Sequence, residues 1–358
     1  MTARFHGYWR SVFEPSTTGP HLPSPVGPLS RSAFVLISSA ARGRHRAVVS
    51  SGFHDQVDAI DDPLGDDDLN LALYVLYGLH YRSFADVDDA WEWNPAVVAM
   101  TAALERRFAD ALATEVRVPE PETPEETGEA LFRLEAADDG PPLSRQLEFE
   151  CTAEEFREFL IHRSAYQLKE ADPHSWAIPR LTGAPKTAML EVQFDEYGSG
   201  RPERMHSRLF AKTMEALGLD TREDAYLSQL PGSTLATVNL MTWLGLHRAN
   251  RGALVGHLAM FEMTSSKPNR SYGNGLRRLG FGEEATDFFD EHVEADAVHE
   301  NIAAFDMAGG LARTDPSLAR DILFGAAALL HVEARFAERL LSEWQQGLTA
   351  LRWEEVPA

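Results

Sequence analysis

The sequence contains a single cysteine, Cys151, among 358 residues. One cysteine excludes a disulfide within the chain, and it also excludes the cysteine-rich sites that bind structural zinc or iron–sulfur clusters. Residues 1–30 lack an apolar run of signal-peptide length after a basic start. No uncharged apolar stretch reaches the length of about 18 residues that a membrane span needs. We therefore expect an unexported protein of the reducing cytoplasm, with no membrane as a partner.

Basic residues are scarce as well, since 33 Lys and Arg stand against 55 Asp and Glu, for a formal net charge of −22. Nucleic-acid phosphates and anionic membranes both require clustered positive charge, so the composition argues against either as a partner. The hydrophobic content of 44% is too high for a disordered chain and is enough for a substantial core.

Strand-like alternation is rare and is limited to "SAFVLISSA" (32–40) and "RAVVSS" (46–51), whereas helical periodicity dominates after residue 52. The sequence therefore predicts an all-α protein. The predicted helices, bounded by proline, acidic and capping residues, span 67–83, 95–114, 124–136, 152–171, 184–197, 202–217, 222–229, 232–262, 271–279, 283–308 and 316–346.

The best linker candidate is "EAADDGPPLSRQ" (135–146), because Gly140-Pro141-Pro142 cannot continue a helix. We divide the chain into an N-terminal accessory region, residues 1–120, and a helical bundle, residues 121–358. The accessory helices 67–83 and 95–114 carry broad apolar faces, which suit either a homodimer interface or a cover for the bundle within one chain.

The segment "FFDEHVEADAVHENI" (288–302) places His292, Asp296 and His299 at i, i+4 and i+7. At roughly 100° per residue these positions fall near 0°, 40° and −20°, so the three side chains leave one stripe of a helix. In the alternative interpretation, these three side chains lie on the solvent-exposed face of an acidic helix and bind no metal. The motif indicates a metal site only if partners lie elsewhere.

Residues 166–210 supply such partners, because Glu170, Glu196 and His206 lie among large apolar side chains. A buried carboxylate is costly unless it is paired or coordinated. Taken alone, Glu170 could pair with Lys169 or Arg163, and Glu196 could pair with a nearby arginine. Together, oxygen and nitrogen ligands from separate helices suit iron or manganese in a helical bundle.

The combination of Glu170, Glu196 with His206 ten residues later, and His292-x3-Asp296-x2-His299 resembles the heme-oxygenase-like diiron oxidases, also called iron-containing redox enzymes. The stretches "KEADPHSWAIPRLTG" and "DEYGSGRPERMHSRLF" resemble the first and second core helices of that family, and "FFDEHVEADAVHENI" resembles the third. The resemblance covers roughly residues 145–345. It implies a heme-oxygenase-like helical bundle, to which the N-terminal region is an addition.

The resemblance also implies a site for two irons, cycling between Fe2+ and Fe3+. Its six ligands would be Glu170, Glu196, His206, His292, Asp296 and His299. Glu170, His206 and His292 would hold one iron, and the other three would surround the second, with one or more carboxylates bridging. His174 competes with His206 for a ligand role, since some family members take a histidine shortly after the first glutamate. We favour His206, because Pro173 disturbs the helix between Glu170 and His174.

The E-x9-H spacing on the second core helix resembles the N-oxygenating branch of the family. This implies an enzyme that uses O2 as co-substrate and an external electron donor, either a protein or a chemical reductant. Its substrate would be a small amine, guanidine or aminoimidazole of natural-product biosynthesis, oxidised to a hydroxylamine, nitroso or nitro product. One alternative is an oxidase that desaturates, fragments or decarboxylates an amino acid or fatty acid. The others are an iron-storage protein without turnover and a metal-free helical scaffold.

Overall fold

The computed structural model describes residues 19–39, 49–85, 87–119 and 123–352, and for residues 294–298 it describes the backbone only. Within these ranges every regular element is a helix, so the all-α prediction is confirmed. The α-helices of the described residues are α1 Pro28–Ile37, α2 Ser51–Asp58, α3 Asp67–Gly78, α4 Pro95–Glu115, α5 Thr127–Ala136, α6 Leu143–Phe149, α7 Ala153–Gln167, α8 Gly183–Glu196, α9 His206–Ala216, α10 Gly232–Leu246, α11 Arg251–Met263, α12 Ser266–Arg278, α13 Glu283–Asn301, α14 Gly309–Thr314 and α15 Ala319–Gln345.

The chain divides into two compact units. The first contains Met1–Thr114 together with Pro231–Asn239, and the second contains Glu115–Leu230 and Leu240–Ala358. All six candidate ligands belong to the second unit. The segment predicted as a linker is a short connection between α5 and α6, and it lies inside this second unit.

The strand prediction for residues 32–40 is wrong, because "SAFVLI" lies in α1. Pro28 occupies the first turn of this helix, and the backbone N–H groups of Leu29 and Ser30 donate to the Asp68 carboxylate at 2.7 and 2.8 Å. This carboxylate satisfies the first-turn amides that a helix leaves unpaired. Residues 46–48 of the second strand prediction, 46–51, lie outside the described residues, and Ser51 begins α2.

Several predicted helices are shorter than the periodicity indicated. The pattern over 152–171 ends as α7 at Gln167, and the pattern over 232–262 is interrupted by a 3-10 turn, Arg248–Asn250. Of the predicted helix 222–229, only the 3-10 turn Leu227–Gln229 forms. The predicted helix 283–308 begins as α13 and continues into a π-helix, Ile302–Ala308, an arrangement frequent near functional sites.

Helices α11 and α15 pack closely in the second unit because each carries a glycine at the contact. A Cβ atom at Gly256 would overlap the carbonyl oxygen of Ile322, and one at Gly325 would overlap that of Ala253. The two backbones therefore touch directly. This close contact fixes the position of α11 within the second unit.

We expect Gly256→Ala to lower the free energy of unfolding by about 2 kcal/mol, because the backbones must separate to admit a methyl group. Urea unfolding followed by circular dichroism would measure the change. Gly282→Ala is the control in the same unit, since a Cβ atom at Gly282 would have no neighbour within 4 Å and the residue has a φ of −91°. Equal effects of the two substitutions would contradict the packing argument.

Candidate metal centre

Glu196 and His206 are brought together by a tight connection between two helices. Glu196 is the last residue of α8 and His206 is the first residue of α9. Gly198 has a φ of +73°, and a Cβ there would lie 2.6 Å from the Met205 nitrogen, so glycine lets the chain fold back on itself. As a result, Oε2 of Glu196 lies 3.0 Å from Nδ1 of His206, with both side chains buried.

Two more residues complete a first group of possible ligands. Glu170 lies in the turn after α7, and its Oε1 is 3.6 Å from Nε2 of His292 on α13. The imidazole rings of His206 and His292 have their centroids 4.4 Å apart. One ligand atom from each of Glu170, Glu196, His206 and His292 lies within 4.8 Å of the others, and all four residues are buried.

A second group shares one residue with the first. Glu196, Glu262 and His299 also offer ligand atoms within 4.8 Å of one another, and all three are buried. Oε2 of Glu262, on α11, lies 3.3 Å from Nδ1 of His299 on α13. Glu196 therefore belongs to both groups, an arrangement that suits two neighbouring metal ions with a carboxylate between them.

The hydrogen bonds of two histidines leave one ring nitrogen of each directed at the site. Nδ1 of His292 donates to the Phe288 carbonyl oxygen at 2.7 Å, so its Nε2 faces Glu170. Nε2 of His299 donates to Oδ2 of Asp195 at 3.1 Å, so its Nδ1 faces Glu262. Metal-binding histidines characteristically donate their other N–H group in this way.

Several buried polar atoms at the centre lack a hydrogen bond to any described residue. They are both carboxylate oxygens of Glu170, Nδ1 of His206 and Nδ1 of His299. Leaving such atoms unsatisfied is costly, and a cation coordinated by them would remove that cost. Carboxylate and imidazole donors without thiolate suit iron. The donor set and the unsatisfied atoms therefore fit bound iron.

Residues 157–334 match the model of a known family, the iron-containing redox enzymes. Over these residues, the chain belongs to that family. The matched range contains every residue of both ligand groups.

Three individual proteins are similar to this chain. The nitrosourea synthase of Streptomyces achromogenes subsp. streptozoticus is 29% identical over 148 residues, which cover 41% of this chain and 31% of that protein. The chain thus matches less than a third of the length of that relative.

The other two are solved structures. A CADD-like protein of unknown function from Nostoc punctiforme has a TM-score of 0.49 and 16% identity, covering 62% of this chain and 97% of that one. A domain of unknown function with a heme oxygenase-like fold, from Shewanella denitrificans, has a TM-score of 0.47 and 14% identity, covering 64% and 95%.

Burial shifts the protonation of the ligand groups when no metal is bound. It raises the pKa of Glu170, Glu196 and Glu262, and it lowers the pKa of His206 to about 4. For His299, burial lowers the pKa, but the neighbouring carboxylates of Glu262 and Asp195 outweigh it and raise the pKa to about 9. Protons thus neutralise part of the negative charge that a metal cation would neutralise.

The structure brings together five of the six ligands that the sequence predicts, namely Glu170, Glu196, His206, His292 and His299. The backbone of Asp296 lies in α13, but its side chain is outside the described residues, so its ligand role stays a prediction. His174 lies apart from both groups, and its Nε2 is 3.0 Å from Nδ1 of His257, with which it forms a buried hydrogen bond.

Sequence reasoning missed Glu262, which lies within the second group. It is 3% exposed and sits between Phe261 and Met263 on a helix that is almost entirely buried. A single acid in so apolar a helix is the same signal that drew attention to Glu170 and Glu196. Applied to "HLAMFEM" (257–263), it would have identified this carboxylate.

Asp195 positions His299, since its Oδ2 accepts from Nε2 of His299 and its Oδ1 accepts from the Ser199 hydroxyl at 2.7 Å. We expect Asp195→Ala to weaken Fe2+ binding by about 10- to 100-fold, because the ring loses the partner that fixes its orientation. Anaerobic titration of the metal-free protein with Fe2+ measures the dissociation constants. Glu191→Ala, an exposed acid on the same helix, is the control and should bind iron as the wild type does. An unchanged affinity in Asp195→Ala would contradict the positioning role.

Proposed function

We propose that this chain is a non-heme dinuclear iron oxygenase that oxidises the nitrogen of a small amine-type metabolite. The observation that carries the proposal is the pair of buried ligand groups joined through Glu196. Two adjacent groups built only from carboxylates and imidazoles are what a two-iron centre in a helical bundle requires. A single-iron site would need one of these groups and not the other.

In this proposal, Glu170, His206 and His292 hold one iron, and Glu262 and His299 hold the other, with Glu196 between them. Asp296 is kept as a ligand on the evidence of its spacing from His292 and His299. Glu262 adds a carboxylate to the set predicted from the sequence. A carboxylate can bind a metal ion through one oxygen or through both. This set of ligands can therefore leave coordination positions open for O2 and substrate.

The two ferrous ions would supply two electrons to O2, and an external donor would restore them after turnover. The side chains around the centre hold its geometry and keep water out. Phe288 packs its ring 4.4 Å from that of His292, and Phe210 packs 5.1 Å from Phe288, so aromatic rings cover this side of the centre. On the other side, Asp195 fixes the ring of His299.

Oxidation at nitrogen is supported by the similarity to nitrosourea synthase, because a nitrosourea contains an oxidised nitrogen. The similarity covers 41% of this chain, so it supports the type of reaction and not a particular substrate. We place the reaction in natural-product biosynthesis in the cytoplasm, with a reductant protein or a chemical reductant as electron donor. The homodimer suggested by the N-terminal helices remains part of the same proposal.

Single turnover under labelled dioxygen tests the function. The full chain is loaded anaerobically with Fe2+, mixed with a panel of amines, guanidines, aminoimidazoles, amino acids and fatty acids, and exposed to 18O2 before mass analysis. We expect 18O on a substrate nitrogen, with less product at a pH below the pKa of the substrate amine, because the nitrogen lone pair must be free.

The other outcomes separate the alternatives. Products oxidised only at carbon would overturn nitrogen oxidation and leave the iron centre in place. Iron that is bound and oxidised without any change in the panel would favour an iron-storage protein. A chain that binds no iron would overturn the proposed function as a whole.

A further inference from the structure

A cavity of about 320 Å³ lies within the second unit. Its outer rim contains the exposed residues Asp138 and Pro142, in the connection between α5 and α6. Its inner end contains Phe210 and Phe288, each about 1% exposed. The cavity therefore leads from the surface into the core, and its volume suits a small organic molecule.

The inner end of the cavity adjoins the metal centre. Phe288 lines the cavity, and its carbonyl oxygen also accepts the hydrogen bond from His292. Phe261, another lining residue, directly precedes Glu262 in α11. Gln167 lines the cavity and precedes Glu170 by three residues, in the turn that follows α7. The cavity wall thus contains residues that neighbour ligands on α11, on α13 and at the end of α7, and the ring of Phe288 lies 4.4 Å from that of His292.

Gln167 presents an unused hydrogen-bond acceptor. Its Oε1 is buried and has no hydrogen-bond partner among the described residues. An amide oxygen can only accept, so the group that satisfies it must be an N–H or O–H donor. Because Gln167 lines the cavity, rotation of its terminal amide would direct this acceptor at a ligand, which would then be selected by its donor groups.

The charges of the wall disfavour an anionic ligand. Arg163 is the cation in the wall, and both its terminal nitrogens donate to the Glu333 carboxylate, at 2.9 and 2.7 Å, which neutralises it. The remaining charge is the carboxylate of Asp138 at the rim. Aromatic rings, whose faces attract cations, supply much of the rest of the wall: Phe159, Phe210, Phe261, Tyr272, Phe288 and Phe289.

We propose that this cavity is the substrate site and that Gln167 accepts a hydrogen bond from an N–H group of a small amine or guanidine with an apolar body. The inference rests on the proposed function, to which it adds the location of the substrate and a residue that determines specificity. Gln167 would hold the nitrogen-bearing end near Glu170, while the aromatic rings cover the apolar end. The acidic rim would favour entry of a cation.

Phenylguanidine is a suitable probe, because it combines planar N–H donors with an aromatic body. Its binding to the full-length, Fe2+-loaded protein is measured by calorimetry without oxygen, so that no turnover occurs. We expect Gln167→Leu to raise the dissociation constant of phenylguanidine at least 10-fold, and Gln167→Glu, which keeps the acceptor, to bind as well as or better than the wild type. Benzoate, an anion of similar size, should not bind.

Thr264→Val is the matched control in the cavity wall. The Thr264 hydroxyl already donates to the Met260 carbonyl oxygen at 2.8 Å, so its loss removes no group available to a ligand. We expect wild-type affinity for phenylguanidine in this variant. Absence of saturable binding in the wild-type protein, or wild-type affinity in Gln167→Leu with an unchanged melting temperature, would overturn the proposal.

The failure of this inference and that of the proposed function can be told apart. Should the wild type oxidise an amine at nitrogen while Gln167→Leu retains the same KM for it, the cavity assignment fails and the function stands. Should phenylguanidine bind in a Gln167-dependent manner while no panel compound is oxidised at nitrogen, the cavity assignment stands and the proposed function fails.

Discussion

Glu196→Gln is expected to reduce iron content after anaerobic loading from two ions per chain to nearly none. Glu196 is the one residue common to both ligand groups, so its carboxylate would neutralise and connect both ions. Glutamine keeps the size of the side chain but removes the charge and one of the two oxygens. His206→Ala, which changes only the first group, should lower the iron content by about half or weaken one ion selectively.

Metal analysis and Mössbauer spectroscopy of the loaded variants measure these effects. Glu191→Gln, on the exposed face of the same helix, should bind iron as the wild type does. The fold of metal-free Glu196→Gln should be retained, because burial raises the pKa of Glu196 and so already favours a neutral side chain at this position. Wild-type iron content in Glu196→Gln would refute the shared role of this carboxylate.

The part of the centre that follows local periodicity could be predicted from the sequence. His292 and His299 lie on one helix, α13, and their spacing alone places them on a common face. The importance of Glu196 and His206 could be predicted from the family resemblance. Their 3.0 Å approach, however, depends on a nine-residue connection with a left-handed Gly198, which helical periodicity does not describe.

Contacts between distant segments account for what the sequence could not predict. Glu262 reaches His299 only because the glycines of α11 and α15 set the position of α11, and no spacing motif records that contact. His174 is drawn away from the centre by a hydrogen bond to His257, 83 residues later. In the first unit, the local alternation of residues 32–40 indicated a strand, but these residues begin in α1. The first turn of α1 is capped by the carboxylate of Asp68, which lies 39 residues after Leu29 and 38 after Ser30.

The stability of the metal-free protein is expected to fall as pH rises from 6.5 to 9. The titration of His299 falls in this window. His299 has a pKa raised from 6.5 to about 9, so the folded state holds a proton that the unfolded state has released, and this stabilisation is lost as pH rises through 9. The buried carboxylates Glu170, Glu196 and Glu262 have pKa values raised from 4.5, so the stability that their protonated forms contribute begins to fall as pH rises above 4.5.

His206 acts in the opposite direction but in a different window. Its pKa is lowered from 6.5 to about 4, so the unfolded state binds the extra proton, and the stability it contributes is lost as pH falls from 6.5 towards 4. Above pH 6.5 this opposing contribution is constant. The decline between pH 6.5 and 9 should therefore amount to on the order of 2 kcal/mol, given about 1.4 kcal/mol per pKa unit.

Bound iron should remove this decline, because the cation displaces the protons and neutralises the carboxylates throughout the window. Iron affinity should accordingly rise with pH over the same range. Urea unfolding of metal-free and Fe2+-loaded protein at pH 6.5, 7.5 and 8.5 measures both effects under anaerobic conditions. Glu262→Gln, which removes a carboxylate that raises the pKa of His299, should flatten the decline in the metal-free protein. If the metal-free and loaded proteins lose stability equally with pH, the groups that titrate are not those that hold the metal.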